Sequence, residues 1–447
     1  MFRAFVYGCI VLLISACKIT PHAPRATAPA TATIQDLVIP NPNGVVTNFL
    51  ALFKQMPDHK ALAVAVTPLS TGDAIAGDYA VGFAQGAAGL VQAATAALQS
   101  CAENRTARLI AAPCELLRID DREFELGVTF RRRLHMDDTS RPTLMWRITH
   151  EGATVYLAGS LHVLRPTMLP LPPAFDRAYA ASSDLVLEVD IAGTSATQIA
   201  ALVAKYGTLP NGQTLAQLLP IDVQNRLQQR SVQLGVPWTN LERLTPNQIV
   251  LILNTLTLTS SGFDASAGID ASYARRAHAE GKPVIGIETM ESQIKLLYAA
   301  PLSAVTEYTR TAIDDHVMHL LSQQLMTAWF LADEATVLRM LNFPGIAPET
   351  AAWNEQLIEN RNVGMADKVI ALLNSKRETH FVLVGAGHIP GSRGVIALLR
   401  KAGFNPVQLN RAGDPLVASA DTTSAERSHQ SSGVGGTGVT TEVSSTR

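Results

Sequence analysis

The stretches VYLAGSLH at 155–162 and FVLVGAGH at 381–388 are one phrase written twice. Each is an apolar run ending in Gly-x-x-His: Gly159 to His162 in the first, Gly385 to His388 in the second. Short apolar runs of this kind read as buried strands. A glycine at the strand end lets the backbone turn sharply or come close to a ligand. The histidine is then presented at the strand's end, where open α/β sheets commonly place ligand sites. Two such histidines could bind one metal ion or serve as acid and base. The plainer alternative is two structural histidines hydrogen-bonded at strand ends.

Further strands surround this pair. LMWRITHEGATVYLAGSLH (144–162) reads as a hairpin around His150-Glu151-Gly152, and DLVLEVD (184–190), PVIGIE (283–288) and PVQL (406–409) as short strands. The stretches 195–260 and 300–342 read as helical, the former broken into short helices by Pro210, Pro220, Pro237 and Pro246. Strands spaced by long helical segments predict an α/β or α+β layer fold. Glu188 stands inside an apolar run, a costly place for a carboxylate unless it is paired or binds a cation. Strand alternation puts Asp190 on the same face. Two histidines with Glu188 make a divalent-metal set with open positions for water. Glu288 ends another apolar run and is a second candidate; alternatively it serves the N-terminus of a helix beginning in IETMESQI. His316 and His319, beside Asp314 and Asp315, have helical metal-pair spacing but read more simply as the wet face of a helix. Ser160 precedes His162, yet no Gly-x-Ser-x-Gly surrounds it. No glycine-rich phosphate loop with its lysine is present.

The flanks speak to location. Residues 1–16 read as a signal peptide, and Ile14-Ser15-Ala16-Cys17 looks like the lipobox of bacterial lipoproteins, with Cys17 carrying lipid. The alternative is an ordinary signal peptide that happens to contain Cys17. Lys18 lacks the inner-membrane retention signal, so the expected place is the outer membrane, facing the periplasm. Residues 17–44, rich in Pro, Ala and Thr, read as a tether. Residues 45–127 read as a small accessory domain of strand–helix–strand type, with strands in ALAVAVTPL (61–69) and CELLRIDD (114–121) and a helix in the second half of 77–103. Cys101 and Cys114 read as a disulfide in an oxidising compartment, or else as two buried thiols. RRRLH (131–135) reads as a solvated linker, and 413–447, dominated by Ser, Thr and Gly, as a disordered tail. The chain has 447 residues, 36 Lys+Arg against 38 Asp+Glu and a net charge of −2. That balance excludes a generally basic nucleic-acid binder.

With these phrases in order, the segment 138–412 resembles the TraB/GumN family. The resemblance is carried by RPTLMWRIT, VYLAGSLHVL, LPLPPAFDRAYAASSDLVLEVD, GIDASYARRAHAEGKPVIGIET, ENRNVGMADKVIALL and FVLVGAGHIPGSRGVIALLRKAGF. It implies a Tiki/TraB-like mixed sheet surrounded by helices. The related Tiki proteins are metal-dependent proteases using manganese or cobalt, with zinc also possible here. Their site has two Gly-x-x-His motifs, a glutamate and an arginine, which correspond to His162, His388, Glu188 and Arg361. Asn362 completes the family's Arg-Asn pair. Arg361 could hold a substrate carboxylate or an oxyanion, or form a helix-surface ion pair with Glu355 or Glu359. Glu188 could be ligand or general base. The resemblance thus implies an exported, metal-dependent hydrolase, with a peptide or small-molecule substrate and a lipid-mediated membrane attachment. The alternatives are a non-catalytic envelope lipoprotein that binds a ligand, connected with exopolysaccharide or haem, and a metal-independent esterase using a histidine base.

Overall fold

Alanines and one glycine decide how the first folded segment packs. The computed structural model describes residues 53–66, 79–124, 127–313, 315–341, 351–353, 355–375 and 377–416. The expected signal peptide, Cys17 and tether lie outside the described residues. So do Asp314 and the side chains of Asp315, His316 and His319. Strands β1 (Ala61–Val66), β2 (Tyr79–Ala84), β3 (Glu115–Ile119) and β4 (Arg122–Glu123) form an antiparallel sheet of order β2-β1-β3-β4. Helix α1 (Leu90–Ala107) packs on this sheet. Ala61, Ala63 and Ala65 share a buried cluster with Ala93, Ala94, Ala97 and Cys101. Side chains this short allow a close approach. At Gly82 an added Cβ would stand 2.0 Å from the Cys101 backbone nitrogen and 2.3 Å from the Ala97 carbonyl oxygen. Cys101 and Cys114 are disulfide-bonded, tying α1 to the start of β3. The backbone of Gly89 meets that of Gly235, where a Cβ on Gly89 would lie 2.5 Å from the Gly235 nitrogen.

The RRRLH run is not a linker. Its arginines end helix α2 (Gly127–Arg133), and Leu134 is buried. Arg131 donates to the carbonyls of Met168 and Pro170 at 3.0 and 3.1 Å, so its charge is spent on backbone acceptors rather than left in water.

The main sheet starts from the expected hairpin. Glu151 and Gly152 take φ of 48° and 93°, the left-handed pair of a tight two-residue turn. They join β5 (Pro142–His150) to β6 (Ala153–Ser160) as antiparallel neighbours. Strands β7 (Asp184–Leu187), β8 (Val284–Gly286), β9 (Thr379–Gly385) and β10 (Val407–Asn410) complete a sheet of order β10-β5-β6-β9-β7-β8. β6, β9, β7 and β8 are parallel neighbours, while β10 is antiparallel to β5. All of Asp184–Leu187 and Phe381–Val384 is buried. That is the pattern of parallel strands covered on both faces, and explains why these runs are continuously apolar rather than alternating.

Helices enclose this sheet, as the mixed α/β reading predicts. In chain order they are α3 (Pro173–Ala181), α4 (Ala196–Gly207), α5 (Ile221–Leu234), α6 (Pro246–Ser260), α7 (Ile269–Glu280), α8 (Met290–Tyr298), α9 (Leu302–Ala312), α10 (Asp315–Phe330), α11 (Glu334–Leu341), α12 (Asn360–Leu373) and α13 (Val395–Lys401). α3 packs on β9, α7 on β7 and α12 on β6. Two of the four prolines stand at α-helix starts: Pro220 precedes α5, and Pro246 is the first residue of α6 behind a Thr245 cap that accepts from the Gln248 N–H. Proline is tolerated there because the first N–H has no intrahelical partner. A five-residue π turn, Glu355–Glu359, leads into α12. At the other end the fold continues past Gly413. Leu409 bridges to Pro415, and the Asn410 N–H donates to the Asp414 carbonyl at 2.8 Å. The remaining tail, from 417, lies outside the described residues. Among the described residues no helix is long and apolar enough to cross a membrane.

The contact at Gly82 is against backbone, which cannot swing aside. Gly82→Ala is therefore expected to lower stability by about 2 kcal/mol or more in urea unfolding. An unchanged midpoint would mean that α1 does not lie this close to β2.

Candidate active site

Four parallel strands end on the same side of the sheet, and each delivers a polar residue just past its last ladder bond. Register places Ser160 beside Gly385, Leu187 beside Leu383 and Leu187 beside Gly286. Two more backbone bonds, Ile287 N–H to Leu187 carbonyl and Glu288 N–H to Glu188 carbonyl, both 2.8 Å, carry β7 and β8 one step further. His162, Glu188, Glu288 and His388 thus follow β6, β7, β8 and β9.

Gly385 is the centre of the arrangement. Its N–H donates to Glu188 Oε1 at 2.6 Å. A Cβ on it would lie 3.1 Å from Glu188 Oε1, 3.2 Å from His162 Nε2 and 3.6 Å from His388 Cδ2. The missing side chain leaves the hollow into which both imidazoles and the carboxylate face. Gly159 does a different job: a Cβ there would press on Ala386 Cα and Ile389 at 3.1 Å, so its absence lets the end of β6 lie against the turn after β9.

Each imidazole is fixed through its Nδ1. His388 Nδ1 is 2.6 Å from Asn362 Oδ1, and the Asn362 amide donates to the Arg393 carbonyl at 2.8 Å. His162 Nδ1 is 2.8 Å from Asp270 Oδ2, while the Ser160 hydroxyl donates to Asp270 Oδ1 at 2.7 Å. With Nδ1–H donating in both rings, the neutral form of each imidazole carries its lone pair on Nε2. His388 Nε2 lies 3.6 Å from Glu188 Oε1. Asp270 is held by the start of α7, where the Ile269 N–H donates to the Leu161 carbonyl at 2.9 Å.

Arg361, from α12, closes the group. It gives Nε and one terminal nitrogen to the two oxygens of Glu288, at 2.8 and 2.7 Å, and the same terminal nitrogen to Glu188 Oε2. Its other terminal nitrogen donates to the Leu357 carbonyl at 3.1 Å and stands 3.3 Å from His388 Nε2. Gln293 Nε2 is 3.0 Å from both Glu188 Oε2 and Glu288 Oε2. Burial pushes the Glu188 carboxyl up. Arg361, the two histidines and the Gly385 N–H outweigh it, so Glu188 is held well below the usual carboxylate range. Burial likewise works against the Arg361 charge, but Glu188 and Glu288 raise its pKa further. Burial drives His388 down to about 3 despite the attraction of Glu188. His162, Glu188, Gln293, Arg361, Gly385 and His388 line a narrow pocket of about 30 Å³, with Leu296, Leu297, Leu357 and Ile358 as its apolar lining.

The sequence candidates His162, His388, Glu188, Glu288, Arg361 and Asn362 are therefore brought together. Asp190 is not. The strand ends at Leu187, alternation lapses, and Asp190 turns to His278 Nε2 at 2.9 Å and the Gly193 N–H at 2.9 Å. Arg361 does not pair with Glu355 or Glu359, which both engage Arg393. Glu288 lies just outside α8, whose cap is Thr289. Ser160 is a donor to Asp270, not a free nucleophile. Sequence reading missed Asp270 and Gln293. Asp270 carried a faint signal, an acid straight after Gly268-Ile269 in the first turn of a helix. Two imidazoles and a carboxylate around a glycine hollow are donor types that divalent cations use. Among the described residues no group of three or more His, Cys, Asp or Glu is already spaced to hold one; the Arg361 guanidinium stands among them.

The model of the TraB/PrgY/gumN family matches residues 144–408. "Uncharacterized protein YbaP" of Escherichia coli (strain K12) is 26% identical over 247 residues, 55% of this chain and 87% of that protein. "Metalloprotease TIKI2" of Danio rerio is 26% identical over 313 residues, 59% of this chain and 60% of that protein. "Metalloprotease TIKI1" of Danio rerio is 25% identical over 351 residues, 68% of this chain and 70% of that protein. No solved structure matches.

The buried histidine has a consequence for acid stability. Its ordinary value is 6.5 and its folded value about 3, so in between the unfolded chain takes up a proton that the folded chain refuses. Stability is present above pH 6.5 and is lost as pH falls toward 3. Glu188 acts in the same direction below its ordinary 4.5. With EDTA present, His388→Gln should flatten the fall in unfolding free energy between about pH 6 and pH 5 by up to about 1.4 kcal/mol. Parallel pH curves for the two proteins would contradict a neutral His388.

Proposed function

Because this chain belongs to the TraB/PrgY/gumN family, we propose that it is a metal-dependent hydrolase of acyl bonds, a peptidase in the first instance, working in the cell envelope. The observation that carries the reading is the set of Nε2 of His162, Nε2 of His388 and Oε1 of Glu188 around Gly385. The metalloprotease relatives, about a quarter identical, support hydrolysis as the class. His162, His388 and Glu188 would hold a divalent ion, manganese or cobalt with zinc as a further choice. When bound, such an ion supplies Lewis acidity and a water whose pKa is lowered toward neutrality.

The protein groups have separable tasks. Asp270 and Asn362 hold the imidazoles in one tautomer, as outer partners of metal-binding histidines do. Gly385 N–H and Gln293 orient the Glu188 carboxylate. Arg361 offers a fixed positive charge beside the reacting position, suited to a substrate carboxylate or a developing oxyanion. The lipobox-like segment supports attachment through lipid on Cys17, with the catalytic part facing the periplasm.

One observation favours a second reading. Arg361 already neutralises Glu188 and Glu288, so a relative that kept this pairing and gave up the metal would be an accessory or ligand-binding lipoprotein. A metal-independent esterase with His162 or His388 as base would be favoured by a hydrolysis rate insensitive to chelator.

The readings part on metal binding. At about a hundredfold excess over its dissociation constant, manganese should stabilise the full-length protein by about 2.7 kcal/mol. His162→Ala and His388→Ala should each remove that stabilisation. Glu188→Gln should lower peptide-library cleavage by at least about 100-fold. Equal manganese stabilisation in the wild type and both histidine variants would refute the assignment, and wild-type protein that binds no cation would leave the accessory reading.

A further inference from the structure

Arg361 shares one positive charge between two carboxylates, and shares it unequally. Glu288 holds the guanidinium side-on: its Oε1 accepts from Nε at 2.8 Å and its Oε2 from a terminal nitrogen at 2.7 Å. This is the two-bonded fork in which arginine and carboxylate match best. Glu188 receives a single bond, from that same terminal nitrogen to Oε2. Its other oxygen points elsewhere, accepting from the Gly385 N–H at 2.6 Å and lying 3.6 Å from His388 Nε2. Both oxygens of Glu288 are thus engaged by the arginine, whereas Glu188 keeps one for the hollow at Gly385. Exposure follows the same division: the Glu188 side chain is 5% exposed and that of Glu288 20%. Gln293 spans Oε2 of one carboxylate and Oε2 of the other, 3.0 Å from each. The Glu288 N–H donates to the Glu188 carbonyl at 2.8 Å, so the two acids are held side by side.

We infer that Glu288 is a positioning residue: by holding Arg361 in the two-bonded fork it keeps the guanidinium from closing on Glu188, and so leaves Glu188 available to a divalent cation. This rests on the metal-site reading of Glu188 and goes beyond it, since a residue bonded only through the arginine would control how tightly the cation is held. With Glu288 in place, Arg361 can release its single bond to Glu188 and still have a carboxylate partner. With Glu288 made neutral, the carboxylate left to Arg361 is Glu188. A buried guanidinium is costly without an anion, so it would take both oxygens of Glu188 and compete with the cation for them. The defect should then be cured by removing the arginine as well.

Manganese chloride titrated into full-length, EDTA-stripped protein and read by calorimetry tests this without turnover. Glu288→Gln should weaken manganese binding by about 10- to 100-fold, the usual effect of losing an outer partner of a metal site. Adding Arg361→Gln to that variant should restore at least about 10-fold of the loss, because two residues acting through one contact are strongly non-additive. Unchanged affinity in Glu288→Gln overturns the inference and leaves the metal site standing. A double variant that binds no more tightly than Glu288→Gln also overturns it, since a residue that ligates the ion, or serves only the fold, is not restored by losing Arg361. If the double variant shows no cooperative unfolding transition, Glu288→Asp takes its place. A flexible arginine can follow a shortened carboxylate, so affinity nearer to the wild type than to Glu288→Gln is expected, and a loss as large as that of Glu288→Gln overturns the inference. Wild-type protein that binds no manganese overturns it together with the metal site.

Discussion

A single buried guanidinium joins the ends of three strands. Arg361 comes from a helix, yet its nitrogens meet the carboxylates that follow β7 and β8 and the imidazole that follows β9. Two carboxylates this close repel each other strongly in a low-dielectric setting. Arg361 lies between them and bonds to both. With the arginine removed, the buried Glu188 carboxylate would keep only the two imidazoles, the Gly385 N–H and Gln293, and a buried charge that loses its ion-pair partner is far costlier than the intact pair is favourable. Whatever chemistry occurs here occurs in a field set by that cation.

The backbone makes this meeting possible. Parallel pairing of β6, β9, β7 and β8 sends all four chain directions the same way, so residues distant in sequence leave the sheet side by side. Glycine is used at the two places where closeness is required: at 159 for the approach of one strand end to the next turn, and at 385 for the space between the reactive groups. The Trp329 indole nitrogen donates to the Gly159 carbonyl at 2.7 Å, so that strand end is also pinned from the helical side.

Much of this was legible because it is written locally. The repeated Gly-x-x-His, the carboxylate inside an apolar strand and the hairpin at Glu151-Gly152 each announce themselves within eight residues. Tertiary partners do not. Asp270 and Gln293 lie on helices whose local patterns are ordinary, and only the fold aims them at His162 and the paired carboxylates. Asp190 misled for the opposite reason: alternation was extrapolated past Leu187, where the strand stops and the chain turns away to His278. The strand at Tyr79–Ala84 was unread because small residues carry little apolar periodicity, and RRRLH looked like a linker because sequence does not reveal which backbone oxygens await an arginine.

The meeting of Gly89 with Gly235 bears on how the small N-terminal sheet is carried. Main chain rests directly on main chain there, with no side chains between to shear or repack. A side chain on residue 89 would wedge the two backbones apart, so the seam admits nothing larger than glycine at that position.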